Sequence, residues 1–136
     1  MFKPITPAKH TQLAIAGIFL SFGAVWLFAP DWLAQLFARE PSLHLPVVML
    51  ATAALGAHAL AAGLFAAFTR FKSWTYPGYA LSLLPLFAAD YWLYAKAGAF
   101  NNMALVHAGG MIAILALCVR GFRLLQREEN AAPQIA

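Results

Sequence analysis

Residues 13–29, 46–68, 74–95 and 103–119 form four apolar stretches, each near the roughly 20 residues a helix needs to cross a hydrocarbon core about 30 Å thick. Lipid offers a backbone no hydrogen-bond partners, so a chain that crosses it must satisfy its own amides, as a helix or as a closed barrel. Runs this long and this uniformly apolar select the helix. The breaks are equally plain: Pro30, Pro41 and Pro46 punctuate the first connection, residues 70–73 form the second and residues 98–102 the third. Four spans use most of 136 residues and leave no room for an extramembrane domain of any size. The predicted architecture is one all-α transmembrane domain over residues 1–136, an integral membrane four-helix bundle of up-down-up-down order.

Composition agrees, with 62% hydrophobic residues, 10% charged residues and a mean hydropathy of +0.71. Apart from one aspartate, the few charges fall outside the four stretches, and nucleic acid is not an expected partner. Cys118 is the single cysteine and lies in an apolar run, which excludes an intramolecular disulfide. The first apolar run follows Lys3 and Lys9 as a signal sequence would. It is longer than a signal core and lacks a small-residue cleavage site, so it is read as a retained span.

Lys and Arg are retained on the cytoplasmic side, and their placement sets the direction. Lys3, Lys9, Arg70, Lys72, Arg120, Arg123 and Arg127 fall on one side, against Arg39 and Lys96 on the other. Both ends are therefore expected in the cytoplasm, with a bacterial inner membrane as the expected location. Trp26, Trp32, Trp74 and Trp92 lie near span ends, as an aromatic belt would. In the first connection, Trp32, Leu33, Leu36 and Phe37 share one helical face, which predicts a short amphipathic helix over 31–39 on the outer surface, with Pro30 and Asp31 suited to its first turn. Asn101 and Asn102 are expected to cap the fourth span, and Pro85 to kink the third.

The third stretch contains the residue that least belongs there, Asp90 in LFAADYWLYAKAG. An ionisable group at membrane depth costs roughly 2.5 to 3.5 kcal/mol on insertion scales, so it is usually paired, functional or close to the interface. Residues 27–33 are echoed by residues 86–93, and Ala54-Leu55-Gly56-Ala57-His58-Ala59 by Ala104-Leu105-Val106-His107-Ala108. If the echo records a duplication, two hairpins are related by a pseudo-two-fold axis along the membrane normal, and Asp90 corresponds to Asp31 near the outer end of its span. His58 lies about twelve residues before Arg70 and His107 about thirteen before Arg120, so both imidazoles are expected roughly 18 to 20 Å above the basic edge, in the outer half.

Spans two and four are diagonal in such a bundle, so His58 and His107 can face each other across its core, in a geometry that suits the iron of haem b. The small residues on their faces, Ala51, Ala54, Ala61 and Ala62 beside His58 and Gly110 beside His107, also serve ordinary helix packing, and a lone histidine commonly bonds across helices. A third reading pairs Asp90 with His107 for proton handling, the carboxylate fixing the tautomer and raising the basicity of the ring, with Tyr94 one turn away supplying a hydroxyl. His10 and His44 are expected to be solvated or interfacial. The sequence contains no phosphate loop, zinc-protease helix, CxxC pair or nucleophile elbow, so it assigns no enzyme class.

In architecture the chain resembles the DoxX-type membrane proteins. His58 with the downstream Asp90-Tyr91-Trp92 is similar to a pattern in haem-containing membrane epoxide isomerases. That resemblance implies a bound haem, is confined to those residues, and assigns no family. The expected function is an outer-half intramembrane polar site in which His58 and His107 hold a small apolar ligand or cofactor, Asp90 tunes His107, and Tyr94 contributes its hydroxyl. Two rival readings are an accessory subunit of a homo-oligomer or larger membrane complex, packed through Ala16, Gly17, Ser21 and Gly23, and a proton-coupled carrier.

Overall fold

In the computed structural model, residues 5–39 and 46–131 are described, and they are helical almost throughout, with no strand among them. The order is α1 Pro7–Phe28, α2 Pro30–Phe37, α3 Pro46–Phe68, α4 Thr75–Ser82, α5 Leu84–Tyr91, a π-helical turn Trp92–Lys96, and α6 Met103–Ala131. Three helices, α1, α3 and α6, are each long and apolar enough to cross a membrane. The expectation for His44 falls outside the described residues.

The boundaries differ from the sequence expectation in three places. Helix α1 starts six residues early, because Thr6 accepts the Lys9 amide at 3.3 Å and Pro7 occupies the first turn, where it loses no hydrogen bond. Helix α6 runs past Val119 to Ala131, because the polar residues beyond Arg120 are good helix formers even though they are not apolar. The third stretch is not one regular helix. Pro85 cannot donate, the helix breaks at Leu83, and α5 restarts with Leu86 and Phe87 bonding the Leu83 carbonyl. Leu83 and Trp92 keep right-handed helical angles, so α4, α5 and the π turn follow one another without a loop.

Helices α1 and α3 pack antiparallel from Gln12 against Ala66 to Leu27 against Gly56, and glycine makes this possible. A Cβ on Gly23 would meet the Leu60 amide nitrogen at 2.5 Å, and one on Gly63 would meet Leu20 at 2.8 Å. Gly56 lies directly against the Trp26–Leu27 backbone. Ala16 and Gly23, half of the seam expected for an external partner, are thus buried within the chain, while Gly17 and Ser21 remain exposed. Buried Gln12 ties the start of α1 to the end of α3, its amide donating to the carbonyls of Ala66 and Thr69, the latter at 2.8 Å.

Helix α6 packs on α1 and, antiparallel, on α4 and α5. Tyr76 is central to this end: it is 1% exposed, its ring presses on the bare backbone of Gly121, and its hydroxyl donates to Ala8 O at 3.0 Å. Tyr79 reaches the other way, its hydroxyl donating to Ala62 O at 2.7 Å. Beyond these contacts, α3 shares no extensive packing with α4 or α5 among the described residues. A seam is left between them.

The basic end is stapled by the Ser73 amide donating to Glu129 Oε1 at 3.0 Å. Hydrogen bonding from Ser73, assisted by the charge of Lys72, holds the Glu129 carboxyl below the usual glutamate range. A depressed folded-state value stabilises the connection above the ordinary carboxylate range, and the contribution is lost as pH falls through the depressed value. Amide-exchange protection of Ser73 should therefore decline on acidification, and Glu129→Gln should remove that pH dependence.

At the opposite end, Asn101 does more than cap α6. Its Oδ1 accepts the Met103 amide at 2.8 Å, while its Nδ2 donates to Leu36 O at 2.8 Å and its amide to Phe37 O at 2.8 Å. An antiparallel bridge between Ala38 and Phe100 extends the join. Helix α2 occurs where the amphipathic pattern predicts, with Leu33 buried, and Asn101 clamps it to the start of α6. Trp32, at the edge of that apolar face, is 56% exposed. Asn101→Ala should cost about 1 to 2 kcal/mol, since it removes a cap and a side-chain bond together, and should loosen α2 in amide exchange while the Ser73 end stays protected.

Candidate functional site

His107 is on the first turns of α6, and Asp90 is near the end of α5. The antiparallel pairing of these helices brings them together, with His107 Nδ1 2.7 Å from Asp90 Oδ2. Their side chains are only 10% and 13% exposed. A carboxylate can only accept, so the Nδ1 facing it carries the proton, and Nε2 has no hydrogen-bond partner among the described residues. This answers the question that Asp90 raised: the carboxylate in an apolar stretch is paired.

Three aromatic side chains surround the imidazole. Trp26 lies 5.3 Å from it between ring centroids, Phe37 6.0 Å away edge-on, and Phe22 6.3 Å away. These belong to α1 and α2, so four separate helices build the surroundings of one histidine. The sequence expectation had Trp26 only as a belt residue and Phe37 only as the apolar face of α2. Nothing in the spacing of either pointed to His107, because their proximity depends on how α1 and α2 turn back over α6.

Two apolar cavities meet at this point. The first, of about 400 Å³, runs from His107 toward the middle of the molecule, past Phe22, Ala62, Pro85, Gly110 and Met111. The second, of about 360 Å³, lies under α2 and includes Leu33, Phe37, Thr52, Ala89 and Asp90. Trp26, Leu55, Leu86 and His107 line both. Leu55 and Leu86 stand on opposite banks of the seam between α3 and α5, so the junction opens sideways.

His58 lines the first cavity with His107. It is exposed, however, and its Nδ1 lies 2.7 Å from Ala54 O, an ordinary bond within its own helix. No acid among the described residues pairs with it. Asp31, its counterpart to Asp90 in the internal echo, is exposed in the first turn of α2. Thr52 and Ser82 also spend their hydroxyls on helix carbonyls, those of Val48 and Tyr79.

Tyr94 is not brought into the site. It lies in the π turn, its hydroxyl donates to Asn102 Oδ1 at 3.2 Å, and Arg39 stacks over its ring at 5.6 Å. The one-turn spacing from Asp90 holds for a regular α-helix, and the π turn rotates the side chains away from that register. His10 is exposed, with Nδ1 3.1 Å from Thr6 O, as an interfacial residue would be. Among the described residues no cluster of three metal-ligating side chains occurs.

Comparisons with protein-family models, with curated proteins and with solved structures give no match to this chain.

Proposed function

We propose that the chain is a four-helix membrane protein, with both ends cytoplasmic in a bacterial inner membrane, and that its outer-half cavities bind a small apolar ligand against His107. The spans would be α1, α3, the α4–α5–π rod and the part of α6 up to Val119, which leaves Glu129 outside the membrane. The observation that carries the ligand reading is the position of the His107–Asp90 pair at the junction of two apolar cavities, with Nε2 left for an oxygen or nitrogen of the ligand. Binding sites for small molecules have this composition, mostly apolar walls with very few polar groups that fix orientation. In this reading Asp90 holds the ring and its tautomer, His107 orients the ligand, and His58 contributes from the far bank.

The test uses a protein whose only tryptophan is Trp26, with Trp32, Trp74 and Trp92 replaced by phenylalanine, titrated in detergent with 1-bromododecane. Quenching should saturate, and a long-chain secondary alcohol should displace the probe with a midpoint that rises at least tenfold when His58→Ala and His107→Ala are combined. Displacement with the same midpoint in the folded double variant would remove both histidines from the site.

A second reading is favoured by one observation. His58 and His107 line the same cavity, and each has Nδ1 engaged, so Nε2 is the remaining nitrogen on both. The donor set therefore fits haem b, whose iron would be held by the two Nε2 atoms and would supply redox or Lewis-acid chemistry. Air-oxidised and dithionite-reduced absorption spectra of protein from haem-replete cells decide it: a Soret band lost in His107→Ala supports haem, and aromatic absorbance alone rejects it.

A further inference from the structure

Resting on the apolar-ligand reading, we infer that the ligand carries its polar function within an extended apolar skeleton, with an apolar arm on each side, and not at one end. The geometry of the two cavities points to this. A ligand with a terminal headgroup needs a pocket whose polar group lies at one extremity, usually at a wet mouth. Here the polar group is at the waist. His107 belongs to both cavities, and the lobes on either side are similar in size, about 400 and 360 Å³. His58, one helical turn past Leu55, stands beside the waist on the exposed bank; farther along both lobes the walls are almost wholly apolar, and the hydroxyls that do occur, Thr52 and Ser82, are already bonded to their own helices. A buried polar atom at the end of a ligand arm would lose its water without gaining a partner, a penalty that selects against headgroup-first binding. A single oxygen in mid-chain meets Nε2 of His107, which accepts from a hydroxyl in the tautomer that Asp90 fixes.

The seam between α3 and α5 supplies the route. Leu55 and Leu86 face each other across it at the junction, so a chain entering sideways from lipid places its middle at His107 and one arm in each lobe. Gly110 gives independent control over one lobe. It lines the first cavity only, and a Cβ built on it meets nothing within 4 Å. A leucine there fills space without displacing the packing of α6.

The experiment compares 8-pentadecanol with 1-pentadecanol, displacing 1-bromododecane from the Trp26-only protein. The mid-chain alcohol should bind at least tenfold more tightly. His107→Ala should bring the two alcohols to within threefold of each other. Gly110→Leu, which leaves His107 in place, should weaken 8-pentadecanol at least tenfold while leaving 4-undecanol, with one short arm, unchanged. Equal or tighter binding of the terminal alcohol, or a mid-chain preference that survives His107→Ala, would overturn the inference and leave the apolar site standing. Saturable 1-bromododecane quenching that neither alcohol displaces would overturn it as well. Failure of the bromoalkane itself to saturate would instead remove the underlying reading.

Discussion

Gly56→Leu should be the most damaging single substitution in the chain, because it strikes the packing on which everything else depends. Gly56 lies against the backbone of Trp26 and Leu27, and its own carbonyl oxygen is 2.9 Å from where a Cβ on Gly23 would stand. The two helices meet backbone to backbone, so no flexible side chain can move aside. Small residues at helix crossings allow such an approach, and the close packing that results substitutes for the hydrophobic drive that lipid does not provide. Over-packing costs about 1 to 3 kcal/mol even where side chains can shift, and a branched residue against a backbone should reach the upper end or exceed it. Gly56→Leu should therefore lower Tm in detergent by many degrees and, by separating α1 from α3, also abolish saturable quenching at Trp26. Gly109→Leu is the matched control: nothing lies within 4 Å of its Cβ and it should cost little.

Asp90→Ala should be the next most damaging. The pair it breaks is about nine-tenths buried, and the variant leaves His107 Nδ1–H with no partner in apolar surroundings. Stranding a buried neutral N–H costs about 1 to 3 kcal/mol, because the donor has given up water without keeping a partner. The ring also loses the bond that sets its tautomer. Nδ1 and Nε2 then compete for the proton, and the ligand-facing nitrogen is no longer defined. The sharper version of this expectation is a double-mutant cycle in thermal unfolding. Asp90→Ala with His107→Leu should recover most of the loss of Asp90→Ala alone, because the stranded donor is gone. A double variant no more stable than Asp90→Ala would mean that the two groups do not share their energy.

Much of this arrangement was legible in the sequence, for reasons that can be given residue by residue. The long apolar runs, the break at Pro85 and the amphipathic α2 follow from local physics: hydrophobic length, a missing amide, and a face repeated every three or four residues. Asp90 and His107 were nameable together because an ionisable group in an apolar span demands a partner and a short connection limits where it can be. The π turn hid the departure of Tyr94, since it changes the register of side chains without any residue that announces it. Trp26, Phe22 and Phe37 around His107, and the second half of Asn101's role as the clamp on α2, depend on tertiary approach and leave no periodic trace. The glycine contacts show the same limit. Gly23, Gly56 and Gly63 looked no different from Gly17, Gly109 and Gly110 in sequence, yet the first three are pressed on a neighbouring helix and the others have open space beside them.

Photolabelling in the bilayer distinguishes a binding site at the His107 junction from a mere gap between helices. Protein reconstituted in lipid is irradiated with a small alkyl diazirine, and adducts are mapped by peptide mass spectrometry with and without excess unlabelled 8-pentadecanol. Adducts at Trp26, Leu55, Leu86 and His107 that disappear with competitor, beside unaffected labelling of exposed Leu50, Leu64, Phe65 and Phe68, are the predicted result. Labelling confined to those exposed residues, or labelling of the junction that rises in step with probe and ignores the competitor, would contradict it.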